Sequence, residues 1–292
     1  MNNNSVIEQY YNSEEAARIL GVNVSTIKRW TNEDKLKCIK TAGGHRKFLF
    51  NHLAEYATKT KNINSKLSIV PLETEKDLVI THHIMKHHLH ELIEFVLQNA
   101  LESNRKDIQK VLHGMYIAQY PLEVIYDDLI TVVLHDIGRL WEKGKITSTE
   151  EHIASQSIKD CIVRLQGIAV MPSEKLGRAL CINLSTELHD IALKMVDQLL
   201  EIKGFQVLFS GQITPALDLE GIFEKYKPDR VYISSTYISD KKAAAAEMTM
   251  ISKLCDAHEC KLYIGGRGVA DLNIPVLSAV YLKSFRDVSR YI

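Results

Sequence analysis

Ala179-Leu180-Cys181-Ile182-Asn183-Leu184-Ser185-Thr186-Glu187-Leu188-His189-Asp190-Ile191-Ala192 starts apolar, turns polar and runs into a helical pattern. Its first five residues read as a buried strand and the rest as the loop leaving it. Four more apolar runs rich in β-branched residues follow, at Gln206–Phe209, Arg230–Ser234, Lys261–Ile264 and Ala279–Leu282, with helical patterns between them. Strand–helix alternation predicts a doubly wound parallel sheet with helices on both faces. Ligands of such sheets sit beyond the carboxyl ends of the strands. The loop Leu184–Ala192 is therefore a candidate ligand site, although a single histidine in such a loop is more often a helix-start residue than a ligand.

Working back from this block, residues 75–170 read as helix after helix. Apolar residues recur at three and four: Leu89, Leu92, Ile93, Val96 and Leu97, then Ile108, Val111, Leu112 and Met115. Two longer stretches, about 122–142 and 148–167, complete a four-helix bundle. Ahead of it, Thr81-His82-His83-Ile84-Met85-Lys86-His87-His88-Leu89-His90 holds five histidines. Only His83 and His87 have the i, i+4 spacing that lets two imidazoles share a helix face, so the stretch reads as a polar helix start rather than a metal centre. A polar run, Thr58 to Ser65, with Pro71 just beyond, reads as a linker. The expected domains are 1–70, 75–170 and 176–292.

The chain has 292 residues, enough for two or three domains. Its composition, 46% hydrophobic and 25% charged, excludes a collagenous or wholly disordered chain. Thirty-six basic residues balance thirty-six acidic ones, so affinity for nucleic acid must come from a local patch. No window has the length and apolarity of a membrane span. Met1-Asn2-Asn3-Asn4-Ser5 does not begin a signal peptide. Five scattered cysteines without a CxxC pair argue against a disulfide framework or zinc site and fit a reducing cytoplasm.

The local patch is near the start. Ser13 is positioned to cap a helix through Leu20 that Gly21 ends, and Asn23 to cap a second through Trp30. Ile27 and Trp30 would face a small core, while Ser25, Lys28 and Arg29 face out. Two short helices joined by a Gly-containing turn form the helix-turn-helix pattern, whose second helix enters the major groove. Between Val24 and Phe48, Lys28, Arg29, Lys35, Lys37, Lys40, Arg46 and Lys47 stand against Glu33 and Asp34, a local net of +5. Gly43 and Gly44 permit a tight turn that brings backbone close to DNA, and His45, Arg46 and Lys47 follow. Ser13–Phe48 resembles the winged DNA-binding domain of MerR-type regulators, down to the T-x-GGHR-(K/R)-(F/Y) wing in Thr41–Phe48. The resemblance implies that the second helix reads bases and the wing touches backbone or minor groove.

Glu187-Leu188-His189-Asp190-Ile191-Ala192, Ser234-Ser235-Thr236 and Gly265-Gly266 resemble, at the usual spacing, the cobalamin-binding signature DxHxxG…SxL…GG. The resemblance implies that His189 supplies the lower axial ligand of cobalt. A carboxylate orients its other ring nitrogen, with Glu187 in the acidic position and Asp190 a second candidate. Ser234, Gly265 and Gly266 leave room for the nucleotide tail, and Ser234 donates a hydrogen bond. Glu187 stands where the signature has Asp, Thr236 where it has Leu, and Ala192 where it has its last Gly. An added methyl against the corrin would cost about 1–3 kcal/mol. Trp141, nine residues and Glu151-His152 match the W-x9-EH signature of the helical cap in the CarH/LitR group of cobalamin-dependent MerR-type regulators. The resemblance implies that Trp141 covers the upper corrin face and that Glu151 and His152 line the same pocket. Light-sensing members carry His directly after the Trp, where this chain has Glu142.

These readings define a multidomain α and α/β protein: winged helix-turn-helix, four-helix bundle and Rossmann-like doubly wound sheet. The resemblance implies a non-enzymatic cytoplasmic regulator, expected to be a repressor. It would bind adenosylcobalamin, assemble into a homo-tetramer, grip double-stranded operator DNA and release it in light. Two alternatives stand beside it: the same architecture with cobalamin or light control lost, and a corrinoid methyl-transfer module. The amino-terminal DNA reader argues against the second.

Overall fold

The computed structural model describes residues 10–60, 74–169, 171–215, 218–270, 272 and 278–292. It forms two compact units, Met1–Tyr120 and Pro121–Ile292, and the break falls inside the helical block read from the sequence. Residues 58–60 close a helix; the rest of the expected linker, 61–65 and Pro71, lies outside the described residues, as does the Met1–Ser5 start.

The first unit begins with β1 (Tyr10–Tyr11), α1 (Ser13–Leu20), α2 (Val24–Asn32), β2 (Ile39–Lys40), β3 (Arg46–Leu49) and α3 (Phe50–Thr60). The cap of α1 is Asn12, not Ser13. The Asn12 side chain accepts from the backbone of Glu14 and Glu15, and Glu15 returns a bond to the Asn12 N–H. An Asx side chain one residue upstream makes this reciprocal box and leaves Ser13 inside the helix. Gly21 closes α1 in the left-handed region, as expected. Asn23 occupies the cap position of α2 but makes no side-chain cap bond. The strands form a small antiparallel sheet in the order β1-β3-β2. The two-residue β1 has too few residues for a period-two pattern, and it was not foreseen. Ile27, Phe48 and Leu53 lie fully buried at the centre of this domain.

Three helices complete the unit: α4 (Glu75–Lys86), α5 (Leu89–Leu101) and α6 (Arg105–Ile117). Buried Asp77 closes a capping box with Thr74 and takes Lys110 Nζ at 2.5 Å, tying α4 to α6. The five-histidine stretch is not one helix start. His87 adopts φ 57 and ends α4, and α5 begins two residues later. His83 and His87, despite their i, i+4 spacing, therefore do not share a helix face, and the His87 ring lies 4.9 Å from that of Tyr120. Instead His82, His83 and His88 meet at the α4–α5 corner. Burial, then the neighbouring His83, His88 and Lys86, pushes His82 down to about 4.

The second unit opens with α7 (Leu122–Val124), which passes through a π-helical stretch, Ile125–Ile130, into α8 (Thr131–Glu142); α9 (Ser148–Gln166) follows. The sequence pattern gave no sign of the π turn. It presents Asp127 to the backbone N–H groups of Phe285 and Arg286 at 2.8 and 3.0 Å, and Asp127 and Asp128 both bind the Arg286 guanidinium. Tyr126 Oη donates to Gln198 Oε1, whose Nε2 donates to the Ile162 carbonyl at 2.7 Å.

The sheet holds β4 (Gly177–Ile182), β5 (Phe205–Phe209), β6 (Arg230–Ser234), β7 (Lys261–Gly265) and β8 (Ala279–Leu282). All pairings are parallel and the order is β5-β4-β6-β7-β8. The five expected strands are present, each within two residues of its reading. Between them run α10 (Ile191–Ile202), α11 (Leu219–Tyr226), α12 (Lys241–Ala257) and α13 (Arg267–Ala270), and α14 (Phe285–Tyr291) closes the chain. Strand order reverses between β4 and β6, so the loops leaving those strands part at the topological switch point. Among the described residues, no helix is long and apolar enough to cross a membrane.

Replacing Asp127 by Ala should remove the external cap of α14 at a cost of about 0.5–2 kcal/mol. Hydrogen exchange should accelerate across residues 285–291; unchanged protection there would contradict the anchor.

Candidate cofactor site and DNA-reading surface

Loops leaving β4 and β6 converge on one carboxylate. Glu187 is 1% exposed. Its Oε1 accepts the backbone N–H of His189 at 2.8 Å and His189 Nδ1 at 2.7 Å. Its Oε2 accepts Ser235 Oγ at 2.9 Å and the N–H groups of Thr236 and Tyr237 at 2.6 and 3.1 Å. Burial raises the pKa of this group, but the hydrogen bonds from His189, Tyr237 and Ser235 outweigh it and bring it down to about 2. His189 shifts the other way: its bond to Glu187 raises it against the opposing effect of burial, and the charge of Glu151 adds to the rise. With Nδ1 committed, Nε2 of this largely exposed imidazole is the nitrogen offered to a ligand.

The rest of the loop is held from all sides. Asn183 Nδ2 donates to the His189 carbonyl at 3.1 Å. Ser185 donates through N and Oγ to Glu247 of α12. Asp190 does not turn toward His189; both its oxygens take Lys159 Nζ of α9 at 2.7 Å. The backbone N–H of Ile213, a β-branched residue held at φ 50, donates to the Glu187 carbonyl at 3.3 Å. Such backbone costs of order 1–3 kcal/mol and collects at functional sites.

Ser234 ends β6 opposite Gly265 in register, and both sit where the sequence put them. The serine that reaches the carboxylate is Ser235. Gly266, at φ 100, has its own structural reason: a Cβ there would meet the Ser235 carbonyl oxygen at 2.1 Å. Its missing side chain serves the approach of two loops, which the Gly268 N–H then joins to the Ser235 carbonyl. Ala192 lies in the first turn of α10, where no glycine conformation is required.

Trp141, near the end of α8, is 51% exposed. Glu151 accepts Ser155 Oγ at 2.8 Å, and exposed His152 bonds the Ser148 carbonyl at 2.6 Å. Trp141 and His152 are not joined to His189; Glu151 reaches it only through its field. Arg267, just past the paired glycines, acts on His135 of α8, whose imidazole is lowered first by burial and then by Arg267 and Arg139. Exposed Leu188 and Tyr237 add apolar surface beside His189. An oriented imidazole, an exposed Nε2 and apolar surface around it fit a corrinoid as axial-ligand donor and docking face. Ser235 and Thr236 were read only as part of the Ser234-Ser235-Thr236 match, and Tyr237 was not read at all; their role as partners of Glu187 was hidden because these contacts span the switch point.

On the first unit, Ser25, Lys28 and Arg29 are exposed on one side of α2, while Ile27 is buried and Trp30 packs on Tyr56 at 4.8 Å. The wing is a hairpin of β2 and β3 whose turn is closed by Thr41 N–H to the His45 carbonyl, with Gly44 at φ 78. Gly43, Gly44 and His45 are exposed at its tip, and Lys47 is half-buried. Arg46 is partly committed: its guanidinium donates to Asn32 Oδ1 at 2.8 Å and braces the wing against α2.

A helix-turn-helix domain model matches residues 10–61, and a B12 binding domain model matches residues 88–166. The combination defines a B12-regulated DNA-binding transcriptional regulator rather than an enzyme, and the fold class read from the sequence stands. The chain is 25% identical over 255 residues to the HTH-type transcriptional repressor CarH of Myxococcus xanthus, covering 83% of this chain and 84% of that protein. In fold it resembles the monomethylamine corrinoid protein of Methanosarcina barkeri, with TM-score 0.51 and 15% identity over 69% of this chain and 97% of that one.

Gly266→Ala should lower stability by about 1–3 kcal/mol through backbone strain and the clash with Ser235. A melting temperature equal to that of the parent chain would contradict the close approach.

Proposed function

We propose that this chain is a MerR-type, cytoplasmic transcriptional repressor that binds adenosylcobalamin and answers to light. The observation that carries the reading is the Glu187–His189 pair, with Nδ1 fixed and Nε2 outward. In this reading His189 Nε2 holds the lower face of the corrinoid and Glu187 keeps that imidazole oriented and basic. Trp141, Glu151 and His152 line the upper face; Ser234, Gly265 and Gly266 border the nucleotide tail. The bound cofactor supplies a cobalt–carbon bond that light breaks. Ser25, Lys28 and Arg29 read operator bases, while Gly43, Gly44, His45, Arg46 and Lys47 position the wing on the backbone. A homo-tetramer formed in the dark presents several such readers at once, so that linkage raises operator affinity without new contacts. The cofactor controls this only through its differential affinity for the assembled state.

Glu142 favours a second reading, in which cobalamin is bound but light control is reduced. This exposed carboxylate follows Trp141 where light-sensing relatives have an imidazole, the better cobalt ligand.

The test is operator binding and sizing of the full chain loaded with adenosylcobalamin, in the dark and after green light. The proposal expects a retained corrinoid, a large dark assembly and its dissociation in light, with His189→Ala losing the corrinoid while remaining folded. A retained corrinoid with no change of size in light would favour the second reading. DNA binding by a chain that retains no corrinoid would overturn both. For the DNA surface, Arg29→Ala should weaken operator binding by about 1–3 kcal/mol and relax specificity at one position; an unaltered gel shift would remove Arg29 from base reading.

A further inference from the structure

The α4–α5 corner of the first unit brings together three imidazoles that the cobalamin reading does not use. His82 is 4% exposed, and His83 and His88 are half-buried. One nitrogen from each lies within 4.8 Å of the others. His83 Nδ1 and His88 Nδ1 face each other at 3.3 Å. Two nitrogens on one tetrahedral zinc, each about 2.0–2.1 Å from the metal, stand about 3.3 Å apart. His82 Nε2 is buried with no hydrogen-bond partner, while its Nδ1 shares a hydrogen bond with the Tyr11 hydroxyl. An unpartnered buried ring nitrogen costs free energy. A metal ion would satisfy it, with Nδ1–H then donating to Tyr11 as the outer-shell bond that fixes the tautomer.

We propose that His82, His83 and His88 form a binding site for a divalent transition-metal ion of the zinc type. Three neutral imidazoles suit a borderline-soft cation and leave a fourth position for water. The Glu91 carboxylate, whose field reaches His82 and His83, places negative charge beside the two half-open ligands. The cluster lies against the DNA-reading domain: His82 touches Tyr11 of β1 and, at 5.8 Å between rings, Phe50 at the start of α3. Lys86 of the same helix pairs with Glu15 of α1 at 2.5 Å. An ion here would close the α4–α5 corner and brace it against β1 and α3. The sequence hid the site because the left-handed His87 brings His88, not His87, back to His83.

The test uses the full chain, freed of metal and corrinoid, and titrated with Zn2+ against a chromophoric chelator. The expected result is one Zn2+ per chain. His83→Gln and His88→Gln should each weaken it by about tenfold or more, and His87→Gln should leave it unchanged. No retained zinc would overturn the site. Equal loss in His87→Gln would mean non-specific chelation by the histidine run. X-ray absorption of the unaltered zinc-loaded chain covers the case in which a variant fails to fold. Three imidazoles at about 2.0–2.1 Å from zinc are expected, and one or none would overturn the proposal.

Discussion

Burying a carboxylate is costly unless its charge is met by donors. Glu187 meets that condition with N–H and O–H groups from two loops on opposite sides of the strand-order reversal. Its hydrogen bonds therefore do two jobs. They close the crevice between the β4 and β6 loops, and they decide which nitrogen of His189 faces out. Glutamate is one methylene longer than the aspartate of the cobalamin signature. Here it spans from its own loop to Ser235, Thr236 and Tyr237 while keeping His189 Nδ1 at 2.7 Å. The change of residue type thus leaves the orienting bond in place.

What the sequence made readable was periodic or local. The five strands came from β-branched apolar runs, and the wing from a glycine pair followed by basic residues. Gly21 marked the end of α1. What it concealed depended on a change of conformation at one residue or on contacts distant in the chain. Asn12 displaced Ser13 as a cap because the reciprocal bond with Glu15 needs that spacing. His87 in the left-handed region turned one apparent helix start into two helices. The π stretch at Ile125–Ile130 keeps an apolar pattern that an ordinary helix would also show, and only the capping of α14 by Asp127 reveals its use. Asp190, a plausible partner for His189 by spacing, was drawn off by Lys159 of α9.

The DNA-reading surface follows a different logic. The chain as a whole is neutral, so its affinity for phosphate rests on a short basic segment. Within that segment the residues are not equivalent. Lys28 and Arg29 are exposed on α2, whereas Arg46 is braced against Asn32 and keeps the wing in position. Affinity would then come from backbone contacts and specificity from the outward side of one short helix.

The central claim is that His189 Nε2, fixed by Glu187, is the nitrogen offered to cobalt. The most direct measurement is electron paramagnetic resonance of the chain, grown with 15N-labelled histidine and loaded with unlabelled cob(II)alamin. If an imidazole of the protein is the axial ligand, each nitrogen superhyperfine triplet becomes a doublet, and His189→Ala abolishes the doublet. A triplet that persists in the labelled protein would assign the axial nitrogen to the cofactor's own base and contradict the account.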